Sequence, residues 1–200
     1  MYSATLIYLF DTVVLTIGCV KMERINKTDW YFKIAKDIAL RSPCISRRRF
    51  GAILVKDDAI ISTGYAGSVR GAQNCGVENV CLKDLWGEEP YKSYEHCCSI
   101  HAEMNCIINA ARAGVSTIGA TLYLSEVNDK MDRPCFLCRR FIIQAGIKEV
   151  YYYKVNNMPF TGDKHIEVFI EPVSDWVKME NEWIQYQVST APQEKAKTFF

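Results

Sequence analysis

Two short motifs restrict the folds open to this chain. One is His101-Ala102-Glu103, the other Pro134-Cys135-Phe136-Leu137-Cys138. Each opens a stretch of helix formers that ends at a glycine, Gly114 or Gly146. Cysteines three apart on one helical turn face the same way, so the thiolates of Cys135 and Cys138 reach one ion. A helix N-terminus favours thiolate through its positive dipole end. His101, from the neighbouring helix, adds a third ligand. Three protein ligands leave one tetrahedral position open, which is the arrangement of a catalytic zinc with bound water. Glu103, two residues past His101, faces that open side rather than ligating. Zinc lowers the pKa of its water to about 7, and a carboxylate alongside can take that proton and pass it to a leaving group. Alone, a Cys-x-x-Cys also suits redox or structural use, and a single histidine also suits a hydrogen-bonded core. The joint pattern, with the acid at the right offset, is far more specific.

The remaining composition sets the context. The 200 residues are 49% hydrophobic and 24% charged, an ordinary globular balance that excludes a disordered chain. Lys and Arg number 24 against 23 Asp and Glu, which argues against a large nucleic-acid surface and for a small molecule or a protein partner. Nine cysteines are an odd number, so a closed disulfide framework would leave one thiol over. Clustered Cys and His in a chain with a full-sized core indicate metal or chemistry in a reduced, cytoplasmic protein. The apolar run 4–20 is short for a membrane span and broken by Asp11, and no positive segment precedes it. Residues 1–21 are therefore read as an uncertain leader, with no membrane association expected.

Along the chain, Thr28-Asp29 reads as an N-cap. Tyr31, Ile34, Ala35 and Ile38 then recur at helical spacing to about Leu40. Runs 50–56 and 59–65 around Asp57-Asp58 read as a hairpin. Residues 66–99 form a polar, Cys-rich insert too long for an unsupported loop. A helix from His101 to Arg112, a strand 119–124, a helix 135–145 and strands 150–155 and 166–170 follow. A last helix, capped by Ser174, carries Trp176 and Trp183, and the tail 189–200 is frayed. The order predicts one domain over residues 22–188, a three-layer α/β/α sandwich with a mixed five-stranded sheet. The short connection between Val155 and Ile166 suggests an antiparallel final hairpin.

His-x-Glu with Pro-Cys-x-x-Cys matches the known signature of zinc nucleobase deaminases. Ser99-Ile100-His101-Ala102-Glu103-Met104-Asn105, with Gly64-Tyr65 and Arg70-Gly71 upstream, resembles the deoxycytidylate (dCMP) deaminase family. Arg41-Ser42-Pro43-Cys44, the run Arg47-Arg48-Arg49, and Asn109-Ala110-Ala111-Arg112 extend the likeness from about Lys27 to Tyr153, more weakly to Trp183. The resemblance implies the cytidine-deaminase fold, one catalytic zinc and a homo-oligomer, commonly a hexamer. It implies that His101, Cys135 and Cys138 hold the zinc and that Glu103 is the proton shuttle. Hydroxide would attack C4 of cytosine, and Glu103 would protonate N3 and then the departing amine, giving uracil and ammonia. Some members of the wider superfamily instead insert a helix before the last strand and run it parallel.

The chain departs from the family pattern in places. Ala66 stands where the family usually has the Asn of Gly-Tyr-Asn-Gly, normally a sugar and base contact, and Ser68-Val69 replaces the usual small residue and Pro. A longer loop, Glu126 to Asp132, precedes Pro134, and Arg133 replaces the usual Ser or Thr. Arg133 is either a phosphate contact or a solvated arginine. Arg112 matches a position associated with 5′-phosphate binding in some members, against a surface ion pair. Tyr65, Asn105 and Arg70 are further substrate-binding candidates, and Arg47 and Arg48 are weaker ones.

Cys44, Cys75 and Cys97, with Cys81 or His96 as the fourth ligand, are candidates for a second, structural zinc that pins the insert. Some dCMP deaminases are similar in carrying a second zinc near this insert. The competing reading makes Cys44 and Cys97 small buried hydrophobes. Cys98 and Cys106 are read as core, and His165 as a surface residue in a turn. The principal expectation is deamination of a free cytosine deoxynucleotide. Its alternatives are a deaminase of another base or of RNA, as in tRNA adenosine deaminases, and a zinc-structured interaction module without activity. Glu103 discriminates, because a purely structural site needs a fourth ligand and no carboxylate over an open position.

Overall fold

The computed structural model describes residues 5–9, 12–16, 24–45, 48–75, 80–87, 96–129, 133–157 and 164–190. The chain divides into two compact units, Met1–Trp30 and Tyr31–Phe200. The first holds an antiparallel hairpin of β1 (Thr5–Leu9) and β2 (Thr12–Thr16) within the residues read as a leader. It also holds the start of helix α1 (Lys27–Ala39). That start lies earlier than Thr28-Asp29 suggested: the Asn26 side-chain oxygen accepts the Asp29 N–H at 2.8 Å and serves as the cap.

The second unit is built on a five-stranded sheet. Its strands are β3 (Phe50–Lys56), β4 (Ala59–Tyr65), β7 (Thr121–Glu126), β8 (Glu149–Asn157) and β9 (Lys164–Pro172), in the order β4-β3-β7-β8-β9. Only β7 and β8 are parallel neighbours. The pairs β3/β4, β3/β7 and β8/β9 are antiparallel. Asp57 and Asp58 both adopt positive φ, 50° and 61°, as a tight hairpin turn requires. The final hairpin is antiparallel, as its short connection suggested, and longer than read. His165 therefore lies in β9 rather than in a turn.

Two glycines show how the helices flank this sheet. A Cβ on Gly51 would sit 2.2 Å from the Ala35 carbonyl of α1. A Cβ on Gly64 would sit 2.3 Å from the Cys106 nitrogen of α3 (Ala102–Arg112) and 2.5 Å from the Ala102 carbonyl. Gly64 pairs with Ala52, the residue after Gly51, and successive strand residues face opposite ways. Helix α1 thus covers one face and α3 the other. Phe32 packs edge-on against Tyr123 and Tyr153 on the α1 face. Ala52, Leu54, Leu122, Leu124 and Val150 are buried on the α3 face, with Cys106, Ala110 and Ile142. Ile142 belongs to α4 (Phe136–Gln144), which lies between α3 and α5 (Val173–Thr190). The expected three-layer sandwich with a mixed five-stranded sheet is what the chain forms.

Strand β7 runs two residues beyond the apolar stretch. Ser125 and Glu126 are both fully buried, the serine in a hydrogen bond with the Tyr153 hydroxyl at 3.0 Å. Hydropathy cannot anticipate such residues, because only a tertiary partner makes them buriable. The insert is closed at its base by backbone pairing. There β5 (Gly67–Ser68) lies antiparallel to β6 (Ser99–Ile100), with a short helix α2 (Leu82–Leu85) between them. Arg47, Cys19, residues 130–132 and the tail beyond Thr190 fall outside the described residues.

Candidate metal centre and active site

His101 and Cys135 occupy equivalent places. Each is the N-cap of its helix, with extended backbone at φ −67°, ψ 154° and φ −62°, ψ 160°. The crossovers through α3 and α4 bring both N-termini to one end of the sheet, outside the carboxyl end of β7, where α/β sheets place ligand sites. His101 Nδ1 lies 3.4 Å from Cys135 Sγ and 3.3 Å from Cys138 Sγ. All three ligand atoms fall within 4.8 Å of one another. Bond lengths of a tetrahedral zinc require nitrogen–sulfur separations of about 3.5 Å. The donor set and its spacing therefore fit the ion.

The electrostatics follow from the same packing. A hydrogen bond from the Cys138 thiol, with help from His101, holds Cys135 down to about 3 against the effect of burial. Cys138 is pushed up, first by that shared hydrogen bond and then by burial. One thiolate is thus ready-formed beside one thiol. Burial disfavours the charged form of His101, but the hydrogen bond to Cys135 and the Glu103 carboxylate outweigh it and raise its pKa. Glu103 lies in the first turn of α3 and is only 5% exposed. Burial raises its pKa, partly opposed by His101. A buried carboxyl beside three clustered metal donors is equipped to gain and lose a proton.

The other candidates are distributed differently. Tyr65 ends β4 half-exposed, and its carbonyl accepts from Asn105 Nδ2 at 2.8 Å. Asn105 also reaches the Ile100 carbonyl at 3.4 Å, so its amide ties the residue before His101 to the end of β4. Arg70 is exposed and donates to Asn109 Oδ1 at 2.7 Å, while Asn109 Nδ2 donates to the Thr63 carbonyl. Arg112 is exposed in the last turn of α3, about 16 Å along the helix axis from His101. The Arg48 guanidinium lies 5.0 Å from the Phe50 ring centroid. Ala66 is buried, its N–H donating to the Phe50 carbonyl at 3.0 Å. Arg133 is partly exposed and donates to Glu171 at 2.8 Å. Sequence reasoning missed Glu171 altogether.

Among the described residues, no second group of three His, Cys, Asp or Glu ligand atoms gathers within 4.8 Å. The insert thiols nevertheless adjoin. Cys75 N–H donates to Ser68 Oγ at 3.2 Å, and that oxygen contacts Cys98 Sγ at 3.6 Å. Burial, then the neighbouring thiols of Cys98, Cys44 and Cys81, push Cys75 up to about 11. Cys98 is therefore exposed and part of this cluster, not core. Of the consecutive pair Cys97 and Cys98, it is Cys98 that hydrogen-bonds with Cys75. His96 stacks on Trp86 at 4.9 Å. Cys106 is buried core, as expected.

Residues 25–154 match the family model of the cytidine and deoxycytidylate deaminase zinc-binding region, and the chain belongs to that family. It is 39% identical over 132 residues to the ComE operon protein 2 of Bacillus subtilis (strain 168), covering 66% of this chain and 61% of that protein. It thus spans under two thirds of that relative's length. It is 35% identical over 138 residues to the deoxycytidylate deaminase of Mycobacterium phage D29, covering 66% of this chain and 98% of the phage protein. The dCMP deaminase of cyanophage S-TIM5, solved in complex with dCMP and dUMP, aligns with a TM-score of 0.48 and 28% identity. That alignment covers 64% of this chain and 82% of the phage chain. Among the described residues, no helix is long and apolar enough to cross a membrane.

Proposed function

We propose that this chain deaminates a free cytosine deoxynucleotide, converting dCMP to dUMP and ammonia. The observation that carries this reading is the buried Glu103 carboxyl beside the His101–Cys135–Cys138 cluster. Deoxycytidylate deaminases among the relatives support the substrate class. His101, Cys135 and Cys138 would hold one zinc, which when bound supplies a Lewis acid that activates water near neutral pH. Glu103 takes a proton from the attacking water and delivers it to N3 of the cytosine. It then carries the second proton to the departing amine, so water and cytosine yield uracil and ammonia. Burial suits Glu103 to this relay, because raising the carboxyl's pKa makes it a better proton acceptor than an exposed carboxylate. The near-equal charge balance supports a free nucleotide over a nucleic-acid strand. With Ala66 unable to make an asparagine's contact, the sugar is held by other groups. Tyr65, the residue before Ala66, stands at the end of β4.

The insert cluster supports a second, structural zinc on Cys44, Cys75 and Cys98, with Cys81 as the fourth ligand; the other three thiols all act on the raised Cys75 thiol. A reduced cytoplasmic setting and a homo-oligomer accompany this reading. Ammonia release across dCMP, dCTP, deoxycytidine and adenosine, with Glu103→Ala as control, tests the function. Turnover of dCMP that the control lacks supports it, and a zinc-loaded sample that deaminates no cytosine compound overturns it. Zinc near two per chain is expected, and a value of one removes the structural site.

A further inference from the structure

The loop before α4 ends on Arg133, and only Pro134 separates Arg133 from Cys135. Pro134 is buried and its ring fixes φ, so a force on Arg133 is passed stiffly to the N-cap of α4. Arg133 is held by the edge strand β9, on the sheet face that also carries α4. Its Nε and terminal nitrogen reach the Glu171 carboxylate of β9 at 2.8 and 2.7 Å. Its guanidinium lies 5.7 Å from the Trp176 ring centroid. Glu171 is itself fixed, accepting from the Tyr152 hydroxyl and from the indole N–H of Trp176, both deeply buried. Two residues past Cys138, Arg140 donates to Glu180 of α5 at 2.6 Å. It lies over the rings of Phe136 and Trp183, at 3.9 and 5.1 Å from their centroids. The segment 164–190 thus grips α4 on both sides of Cys135 and Cys138, and it lies beyond the matched family region, which ends at residue 154.

We propose that β9 and α5 brace the metal centre, with Glu171 acting through Arg133 as a positioning residue for Cys135. The inference rests on the reading that His101, Cys135 and Cys138 hold the metal. Groups that orient ligands without touching the ion govern metal retention and ligand geometry. The zinc-loaded protein and its Glu171→Gln variant are compared for zinc transfer to a chromophoric chelator, well below the unfolding temperature. Transfer about tenfold faster in the variant is expected. The visible bands of the cobalt-substituted variant should shift, and kcat should fall with KM little changed. Arg133→Gln, a milder change at a partly exposed side chain, should give the same result, and the double variant no more than either single one. The exposed α5 variant Lys178→Ala should leave all readouts unchanged. Wild-type transfer rates and cobalt bands in folded Glu171→Gln and Arg133→Gln would overturn the brace while leaving the metal reading intact. A wild-type chain that takes up neither zinc nor cobalt would overturn both.

Discussion

Glu103 and Cys135 are set apart from the chain's other acids and thiols by where they sit. The first turn of α3 buries one, and the N-cap of α4 exposes the other's sulfur to a donor thiol and an imidazole. Replacing Glu103 by Gln keeps the shape and removes the proposed proton carrier. Deamination should fall by a factor on the order of 10² to 10⁴. Zinc content, read by atomic absorption, should stay at the wild-type value. Cys138→Ser removes a fully buried ligand instead, so the preparation should lose about one zinc per chain along with its activity. Both motifs were legible because metal ligation and proton transfer need particular atoms at particular spacings. Arg133 was legible only as an arginine. Its partner is 38 residues away on another strand, and no local pattern ties the two together.

At the scale of elements, the close approach of α3 to β4 sets the height of His101 and Glu103 over the sheet. Gly64→Ala would push a methyl into the helix backbone at 2.3 Å, which cannot move without shifting α3. A loss of about 3 kcal/mol is expected. Thermal melts should show it, and activity should fall further than the unfolded fraction explains. The brace adds an acid dependence. Burial alone would raise the Glu171 carboxyl, but hydrogen bonds from Tyr152, Trp176 and Arg133 outweigh it and hold its pKa below the usual carboxylate range. A group with a depressed folded pKa contributes stability above its unfolded pKa and loses it as pH falls through the folded one. The stability gap between wild type and Glu171→Gln should therefore shrink from about pH 5 downward, as unfolding at several pH values would reveal. The hairpin, the crossover helices and the last two strands were readable from periodicity and turn residues. The polar end of β7, where Ser125 and Glu126 are buried, was not.

For the molecule as a whole, a metal held as proposed by His101, Cys135 and Cys138 would belong to the folding equilibrium. A ligand set present only in the folded chain stabilises it by mass action. A strong chelator should lower the melting temperature, and added zinc should restore it. A residual drop is expected in Cys138→Ser, from the proposed second ion of the insert, and its absence would remove that site. The helix starts, the metal donors, the acid beside them and the sandwich order were determined by the sequence itself, because each is written in spacing, capping and alternation over a few residues. The tertiary structure alone decided that Cys98 rather than Cys97 faces Cys75, that Arg112 stands far along its helix from the metal donors, and that Glu171 holds Arg133. Those outcomes depend on strand register and on side chains distant in sequence, and such contacts come into being only when the sheet and its helices have packed.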